Sequence, residues 1–245
     1  MVGFLQTVNE WLRRQDVKRL RGASVDDLVS EKFHRDPMRP LHYGPAVFYS
    51  PADGFILYSM VVGPDERIVQ VKGRNLTTQE ILQDATYTAR SLVVGIFLTF
   101  YDVHVNRLPT DGFVHFSRPP AIENASMNVV EATILQKGVV SPDDFGYAFT
   151  NERVVTRVYS TQLSQSYYLV QIADREVNTI SLFPQEGAKL RQGERFGLMR
   201  FGSQVDLIIP LISSRLKFIS LVQHKILCHV EAGIDQLVRV EAVGP

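Results

Sequence analysis

From about residue 95 to the end, apolar residues gather in short runs rich in β-branched and aromatic side chains, and Gly, Pro, Asn and Asp separate these runs. Runs of this length and composition are typical of β-strands. The clearest examples are VVEATILQ (129–136), RVVTRVYS (153–160), YYLVQIA (167–173), FGLMRFG (196–202) and QVDLIIPLI (204–212). The pattern predicts a mostly β body, and we expect its strands to be mostly antiparallel.

The middle of the chain adds further strands and one helix. Two strand patterns occur there, at residues 48–62, broken by Asp53-Gly54, and at residues 69–72. Thr77 followed three residues later by Glu80 is typical of a helix N-terminus, because each side chain can bond the backbone N–H of the other. We therefore predict a helix over residues 81–95, ILQDATYTARSLVVG.

The first 21 residues have an amphipathic pattern. Five apolar residues share one face of a 3.6-residue period: Phe4, Leu5, Val8, Trp11 and Leu12. Basic residues follow on the polar side and at the end: Arg13, Arg14, Lys18, Arg19 and Arg21. Two interpretations stay open, a helix lying on an anionic lipid surface and a helix packed on the protein's own core. We divide the chain into this N-terminal helical segment, residues 1–32, and a β-rich domain, residues 33–245.

Composition narrows the functional classes. The chain has 245 residues, with 26 Lys and Arg against 26 Asp and Glu, so its formal net charge is zero. A general nucleic-acid binder usually carries a basic excess, so we expect no nucleic-acid partner. Cys228 is the only cysteine, which excludes an intramolecular disulfide. No apolar stretch reaches 18 residues and the start lacks a secretory pattern, so we expect a cytoplasmic protein. From the strand and helix patterns we expect an α+β fold in one compact unit.

Two short segments could carry chemistry. Gly202 and Ser203 lie inside a strand-like run, where a glycine would let Ser203 Oγ approach the preceding carbonyl carbon; an ordinary β-bulge is the alternative. Asp53 follows Pro51 in a turn-like segment flanked by aromatic residues. It is therefore either a turn residue or a partly buried carboxylate that orients a base.

In a third segment, YDVHVNR (101–107), polar and apolar residues alternate as they do in a β-strand. Asp102, His104 and Asn106 would share one face of the strand, opposite Arg107. A histidine aligned with Asp and Asn is a candidate base or anion-binding group, although a structural histidine is commoner.

Other catalytic motifs are absent from the sequence. It contains no glycine-rich nucleotide loop, HExxH or GxSxG pattern. His224 and His229 lie five residues apart around Cys228, but no second pair of ligands follows. We therefore predict no metal site.

Together, these segments resemble the phosphatidylserine decarboxylase family, in particular its short bacterial and archaeal branch. The similar segments, in order, are FHRDPMRP (33–40), YSPADGFI (49–56), VKGRNLTTQEIL (71–82), GIFLTFYDVHVNRLPTDG (95–112), NER (151–153), QIA (171–173) and GERFGLMRFGSQVDLIIP (193–210). The chain departs from the family pattern at residues 174–180 and in its tail, 211–245. Longer family members also carry a second histidine, at the position of Arg107.

The resemblance implies a pyruvoyl-dependent decarboxylase that cleaves itself between Gly202 and Ser203. Ser203 would become the pyruvoyl cofactor at the start of a small chain, residues 203–245. Asp53 and His104 would be the other catalytic residues. The resemblance leaves open whether His104 serves self-cleavage, decarboxylation or both. Three further residues are substrate-binding candidates: Asp102, Asn106 and Arg107.

The implied reaction converts phosphatidylserine to phosphatidylethanolamine and CO2, on the inner face of the cell membrane. The expected partners are the phospholipid, the membrane surface and the small chain. Whether the protein also forms a homo-oligomer stays open. Three alternatives remain. The chain would be a decarboxylase of another serine-headgroup lipid or an amino acid, an inactive relative that binds lipid or a partner, or a carrier domain of biotinyl type.

Overall fold

The computed structural model describes residues 5–28, 35–175, 180–200 and 203–243. Phe4, the start of the FHRDPMRP segment at 33–34, Phe201 and Gly202 lie outside these ranges. The strands are β1 (Gln6–Thr7), β2 (Val47–Tyr49), β3 (Gly54–Val62), β4 (Val69–Val71), β5 (Arg74–Leu76), β6 (Ser91–Leu98), β7 (Val105–Arg107), β8 (Gly112–Ser117), β9 (Arg153–Ser160), β10 (Gln165–Ala173), β11 (Ile180–Leu182), β12 (Lys189–Leu190), β13 (Arg195–Met199), β14 (Ser203–Pro210), β15 (Leu216–Ser220), β16 (Cys228–Val230) and β17 (Gln236–Ala242).

Helices are few and short. They are α1 (Val8–Leu12), α2 (Gln15–Arg21), α3 (Val25–Asp27), α4 (Thr78–Leu82), α5 (Asn128–Ala132) and α6 (Tyr147–Thr150). A π-helical turn, Thr133–Lys137, extends α5, and a 3₁₀ turn, Pro142–Gly146, precedes α6. Every strand pair between described residues is antiparallel, so the predicted mostly antiparallel β fold with few helices is confirmed.

The largest sheet has nine strands in the order β1-β16-β3-β6-β14-β10-β9-β8-β12. Strand β14 is its middle strand, paired along its length with β6 and over six residues with β10. Three smaller sheets surround it: β11-β13-β7, β15-β17-β2 and β4-β5. Strands from both sides of residue 202 therefore share one sheet.

The central strands are buried on both faces. Along β6, Leu92, Val94 and Ile96 belong to one apolar cluster, whereas Val93 and Phe97 belong to a second. Because both faces need apolar side chains, the strand is a continuous apolar run without polar alternation. The large sheet therefore has one apolar cluster on each face, and β14 contributes Val205 to the first and Ile208 to the second.

The helix predicted over residues 81–95 is wrong. Thr77 does cap a helix, since its Oγ1 accepts a hydrogen bond from Glu80 N at 3.2 Å. That helix, α4, ends at Leu82, and Gln83 adopts the left-handed conformation with φ of 50°. The apolar residues after position 90 form strand β6 instead. A run that is buried on both faces has no periodicity that separates a short helix from a strand.

The strand predicted over residues 129–136 is also wrong, because these residues form α5 and its π-helical extension. Val130, Thr133 and Ile134 are buried, while Val129 is 60% exposed. Burial at this i, i+3, i+4 spacing fits a helix packed along one side. The strands predicted at 153–160 and 167–173 are confirmed as β9 and part of β10.

The N-terminal segment differs from the single amphipathic helix predicted over residues 1–21. Its described part is a short strand followed by separate helices, which break between Leu12 and Gln15. Trp11 is only 1% exposed and packs edge-on against Phe55, with ring centroids 5.2 Å apart. The apolar side of α1 thus contacts the protein's own core, the second of the two interpretations. Across the described ranges, no helix has the length and apolar character needed to cross a membrane.

Candidate active site

Ser203 begins the middle strand of the large sheet. It lies opposite Leu98 of β6 and Ala173 of β10, and its exposed fraction is 0%. Its Oγ is buried, and within the part of the chain that the structure describes it has no hydrogen-bond partner. A buried hydroxyl without a partner costs about 1–3 kcal/mol, and Ser203 shares this state with the buried hydroxyls of Thr78, Thr156 and Ser160.

The segment that leads to Ser203 passes beside His104. Strand β13 pairs with β7, and the N–H of Met199, its last residue, donates to the His104 carbonyl at 3.1 Å. Only three residues separate Met199 from Ser203. The described residues on the two sides of the predicted cleavage site are thus Met199, next to His104, and Ser203, in the core of the sheet.

His104 itself is completely buried, immediately before β7. Its Nδ1 lies 2.9 Å from the backbone carbonyl oxygen of Asp102. Residues 102–104 are not in a strand, so the predicted alternation of side chains starts only at Val105. The structure brings His104 and Asp102 together through this local contact.

The Asp102 carboxylate lies in the turn that follows β6. Its Oδ2 accepts hydrogen bonds from the backbone N and Oγ1 of Thr99, both at 2.7 Å, and its Oδ1 is 2.7 Å from His229 Nε2. Burial alone would raise the pKa of Asp102. The charge and hydrogen bond of His229, together with the Thr99 bonds, outweigh burial and lower that pKa. Asp102 therefore stays ionised in the interior.

His229 is the residue that sequence reasoning missed. The sequence suggests a role for it only as a zinc ligand beside His224. Its contact with Asp102 joins residues 127 positions apart, so no local sequence signal could have found it. Within the described ranges, no group of three or more His, Cys, Asp or Glu side chains could hold a metal ion.

Asp53 lies at the end of the Ser-Pro-Ala-Asp segment, just before β3. Its two oxygens accept from the Arg39 guanidinium at 2.7 and 3.1 Å, and Oδ1 also accepts from Ala232 N at 2.7 Å. The following Gly54 has φ of 150°, and a Cβ there would lie 2.2 Å from the carbonyl oxygen of Phe97. Glycine is thus required where β3 meets β6, and this close approach fixes the position of Asp53.

Asn106 and Arg107 are buried in β7 and bonded to other parts of the protein. Asn106 Oδ1 accepts from Gln171 Nε2 at 2.7 Å. Arg107 donates to Asp36 at 2.7 Å and to the Gly193 carbonyl at 2.9 Å. The guanidinium of Arg107 therefore connects Asp36, in the 33–40 segment, to strand β7.

A cavity of about 300 Å³ opens between the N-terminal helices and the large sheet. Its walls contain both acids discussed above, Asp53 and Asp102, and also His229. Apolar and aromatic side chains line it too, together with charged residues of both signs: Arg14, Asp16, Arg19, Arg35, Arg39 and Glu231. This cavity can accept a small ligand that carries positively and negatively charged groups.

Glu131 of α5 is a further, half-buried acid near this region, and its Oε2 accepts a hydrogen bond from Phe100 N at 3.1 Å. Burial raises the pKa of Glu131 to about 7; the Phe100 hydrogen bond lowers it, and the nearby Asp102 and Asp174 carboxylates raise it further. A folded-state pKa above the ordinary 4.5 means that the folded protein holds this proton more tightly. This tighter binding of the proton stabilises the folded protein. The stabilisation is complete below about pH 4.5 and is lost as the pH rises through about 7.

We predict that Glu131→Gln flattens this pH dependence. The unfolding free energy of the variant should fall less than that of the parent between pH 5 and pH 8, by up to about 3 kcal/mol at about 1.4 kcal/mol per pKa unit. Urea unfolding at a series of pH values measures it. Glu123→Gln, at an exposed glutamate, is the matched control. Parallel pH curves for parent and Glu131→Gln would contradict the prediction.

Comparison with known proteins adds a decisive observation to this geometry. The family model described as phosphatidylserine decarboxylase matches residues 27–233. The chain belongs to the phosphatidylserine decarboxylase family. The matched range of this family includes Asp53, His104, Ser203 and His229.

Curated relatives agree with the family assignment. The chain is 30% identical to the phosphatidylserine decarboxylase proenzyme of Burkholderia lata over 188 residues, which cover 76% of this chain and 70% of the relative. It is 30% identical to the protein of the same name from Burkholderia ambifaria over 190 residues, with the same coverage. The proenzyme of Ehrlichia ruminantium is 29% identical over 188 residues, covering 76% of this chain and 67% of the relative.

Proposed function

We propose that this protein is a pyruvoyl-dependent phosphatidylserine decarboxylase, which cleaves itself between Gly202 and Ser203 and then converts phosphatidylserine to phosphatidylethanolamine and CO2. The observation that carries the proposal is the Ser203 hydroxyl. It is fully buried at the head of the central strand, with no partner for Oγ among the described residues. The arrangement adds no stabilising hydrogen bond, and it leaves Oγ available to attack the preceding peptide bond.

Self-cleavage would proceed in three steps. Ser203 Oγ loses its proton to a base and attacks the Gly202 carbonyl carbon; the C–N bond breaks, the nitrogen takes up a proton, and an ester forms. Loss of the Ser203 Cα proton then breaks the Cβ–Oγ bond and releases Gly202 as a carboxylate. Water hydrolyses the remaining dehydroalanine to a pyruvoyl group and ammonia. A positioned base contributes about 10²–10⁴ in rate, and Asp53 and His104 are the residues we assign to this role.

The residues around Ser203 fit a pyruvoyl group. The group would replace a side chain that is already enclosed between Leu98 and Ala173, and it would need no additional room. Its carbonyl would supply the electron sink that decarboxylation of an amino acid headgroup requires. The enclosing strands β6 and β10 would hold the group rigid and exclude water from it.

The charged cavity suits the phosphoserine headgroup, which carries two negative charges and one positive charge. The cavity wall combines arginines with carboxylates, and Arg19 is exposed at its edge. Asp102 is the substrate-binding candidate that lines this wall. Asn106 and Arg107 also remain substrate-binding candidates. To contact a substrate, their side chains would first have to break the hydrogen bonds described above.

A lipid substrate keeps its acyl chains in the bilayer, so the enzyme would work at a membrane surface. We assign it to the cytoplasmic side of the cell membrane, as a peripheral protein. Because Trp11 is buried, the basic and exposed side of residues 13–21 is the part of the N-terminal segment that would face anionic lipid.

Intact mass spectrometry of the purified protein tests self-cleavage. We expect two chains, one ending at Gly202 and one starting at residue 203 with a ketone that reacts with hydroxylamine. Vesicles of phosphatidylcholine with phosphatidylserine should then release CO2 and accumulate phosphatidylethanolamine. A single uncut chain of 27.7 kDa without a reactive carbonyl would refute the proposal.

Substrate choice is tested in the same assay. Vesicles with archaetidylserine, and free serine, replace phosphatidylserine at equal concentration. We expect the highest kcat/KM with phosphatidylserine. A higher value with another substrate would move the assignment to that decarboxylase, and a cleaved protein inactive on all of them would point to a binding function.

A further inference from the structure

His229 is held in one orientation by three neighbours. Its ring stacks on Trp11 with centroids 5.3 Å apart and an interplanar angle of 29°, and Phe55 meets it edge-on at 5.2 Å. Its Nε2 lies 2.7 Å from Asp102 Oδ1. The side chains of His229 and Asp102 are 3% and 2% exposed. One ring face of His229 is stacked, a second aromatic ring contacts it edge-on, and Nε2 lies against a carboxylate, so these contacts hold the ring in one orientation.

Asp102 connects this histidine to His104. The Asp102 backbone carbonyl faces His104 Nδ1 at 2.9 Å, while its carboxylate is bonded to His229 and Thr99. A carbonyl oxygen can only accept a hydrogen bond, so Nδ1 of His104 carries the proton. In the neutral ring, the basic nitrogen of His104 is therefore Nε2. The orientation of residue 102 decides which nitrogen of His104 can take a proton.

We propose that His229 is a positioning residue, which anchors the Asp102 carboxylate so that the Asp102 carbonyl keeps His104 in the tautomer with a basic Nε2. The inference rests on the proposed function for its catalytic consequence. It adds that a residue of the future small chain sets the reactivity of a base on the large chain. The two chains would thus depend on each other for chemistry as well as for folding.

Other charged groups around His229 bear on any pH measurement. They come from the turn after β6, from the β16–β17 connection, from the N-terminal helices and from the segment before β3: Asp102, Glu231, Asp235, Arg14 and Asp53. Variants at position 229 should therefore be compared with each other at each pH value.

The test compares His229→Gln with His229→Leu. The glutamine amide can donate to Asp102 from about the position of Nε2, whereas leucine fills the space without a donor. We expect His229→Leu to slow self-cleavage of the fresh precursor by about 10–100-fold, with a changed pH profile, because a misplaced base loses much of its effect. His229→Gln should stay within about threefold of the parent. His224→Gln and His224→Leu, at an exposed histidine of the same tail, are matched controls.

Nitrogen NMR of the histidine rings, with His104→Gln to assign the signals, gives a readout that does not depend on cleavage. We expect the Nδ1–H tautomer of His104 in the parent and in His229→Gln, and a mixture in His229→Leu. Equal cleavage rates and equal spectra for the Gln and Leu variants would overturn the inference. An uncut parent with the expected spectra would instead refute the proposed function and leave the positioning role supported.

Discussion

Ser203→Ala should leave the protein as one uncut chain without decarboxylase activity. The substitution removes both the nucleophile for self-cleavage and the only precursor of the pyruvoyl group. Activity should fall to the uncatalysed background, a loss of at least about 10⁶-fold. The fold should survive, because Ser203 Oγ has no hydrogen-bond partner among the described residues, and alanine fits where serine fits.

Gel analysis and intact mass follow the cleavage, and CO2 release follows the activity. Ser214→Ala is the matched control, since Ser214 is an exposed serine of the same predicted small chain. Thermal unfolding of both variants checks that the fold is intact. A Ser203→Ala protein that is still cut at this position, or still releases CO2, would end the proposed mechanism.

The second large effect is expected at Asp53. Asp53→Asn keeps an acceptor for Ala232 N but leaves the Arg39 guanidinium without its counter-charge, and both side chains are less than 10% exposed. Breaking a buried ion pair on one side costs about 3–5 kcal/mol of stability. The variant also lacks the carboxylate we assign as a base, so self-cleavage should slow by about 10²–10⁴-fold.

The double variant Arg39→Met/Asp53→Asn separates these two effects. Removing both charges should restore more than half of the lost stability, because replacing a whole buried pair is far less costly than breaking it. Cleavage should stay slow in the double variant, as measured by the rate at which the precursor disappears. If the double variant cleaves as fast as the parent, Asp53 acts only as the partner of Arg39 and is not a base.

The structure also changes how the predicted site residues are grouped. The sequence linked Asp53 to His104 through the family resemblance. In the fold, the Asp53 carboxylate is bonded to Arg39 and Ala232, and Asp102 makes the contact with His104. Arg107, predicted as a substrate-binding candidate, is engaged with Asp36 and Gly193. Residues that were grouped together from the sequence therefore form hydrogen bonds with different partners once the chain is folded.

The sequence by itself determined the mostly β class, the positions of β9, β10 and β14, and the segment that contains Ser203. These features follow from local composition and from motifs that are contiguous in the chain, which is why a single sequence can show them. Asp53, His104 and Ser203 stood out for the same reason.

Only the tertiary structure decided the secondary structure and the burial of segments that pack against residues distant in the chain. Strand β6 became a strand because β3 and β14 flank it and both of its faces are buried. Trp11 became a core residue because Phe55 and His229 cover its ring. The Asp102–His229 pair exists because the turn after β6 and strand β16 meet across the molecule. Burial and long-range pairing are properties of the packed chain, and no window of sequence contains them.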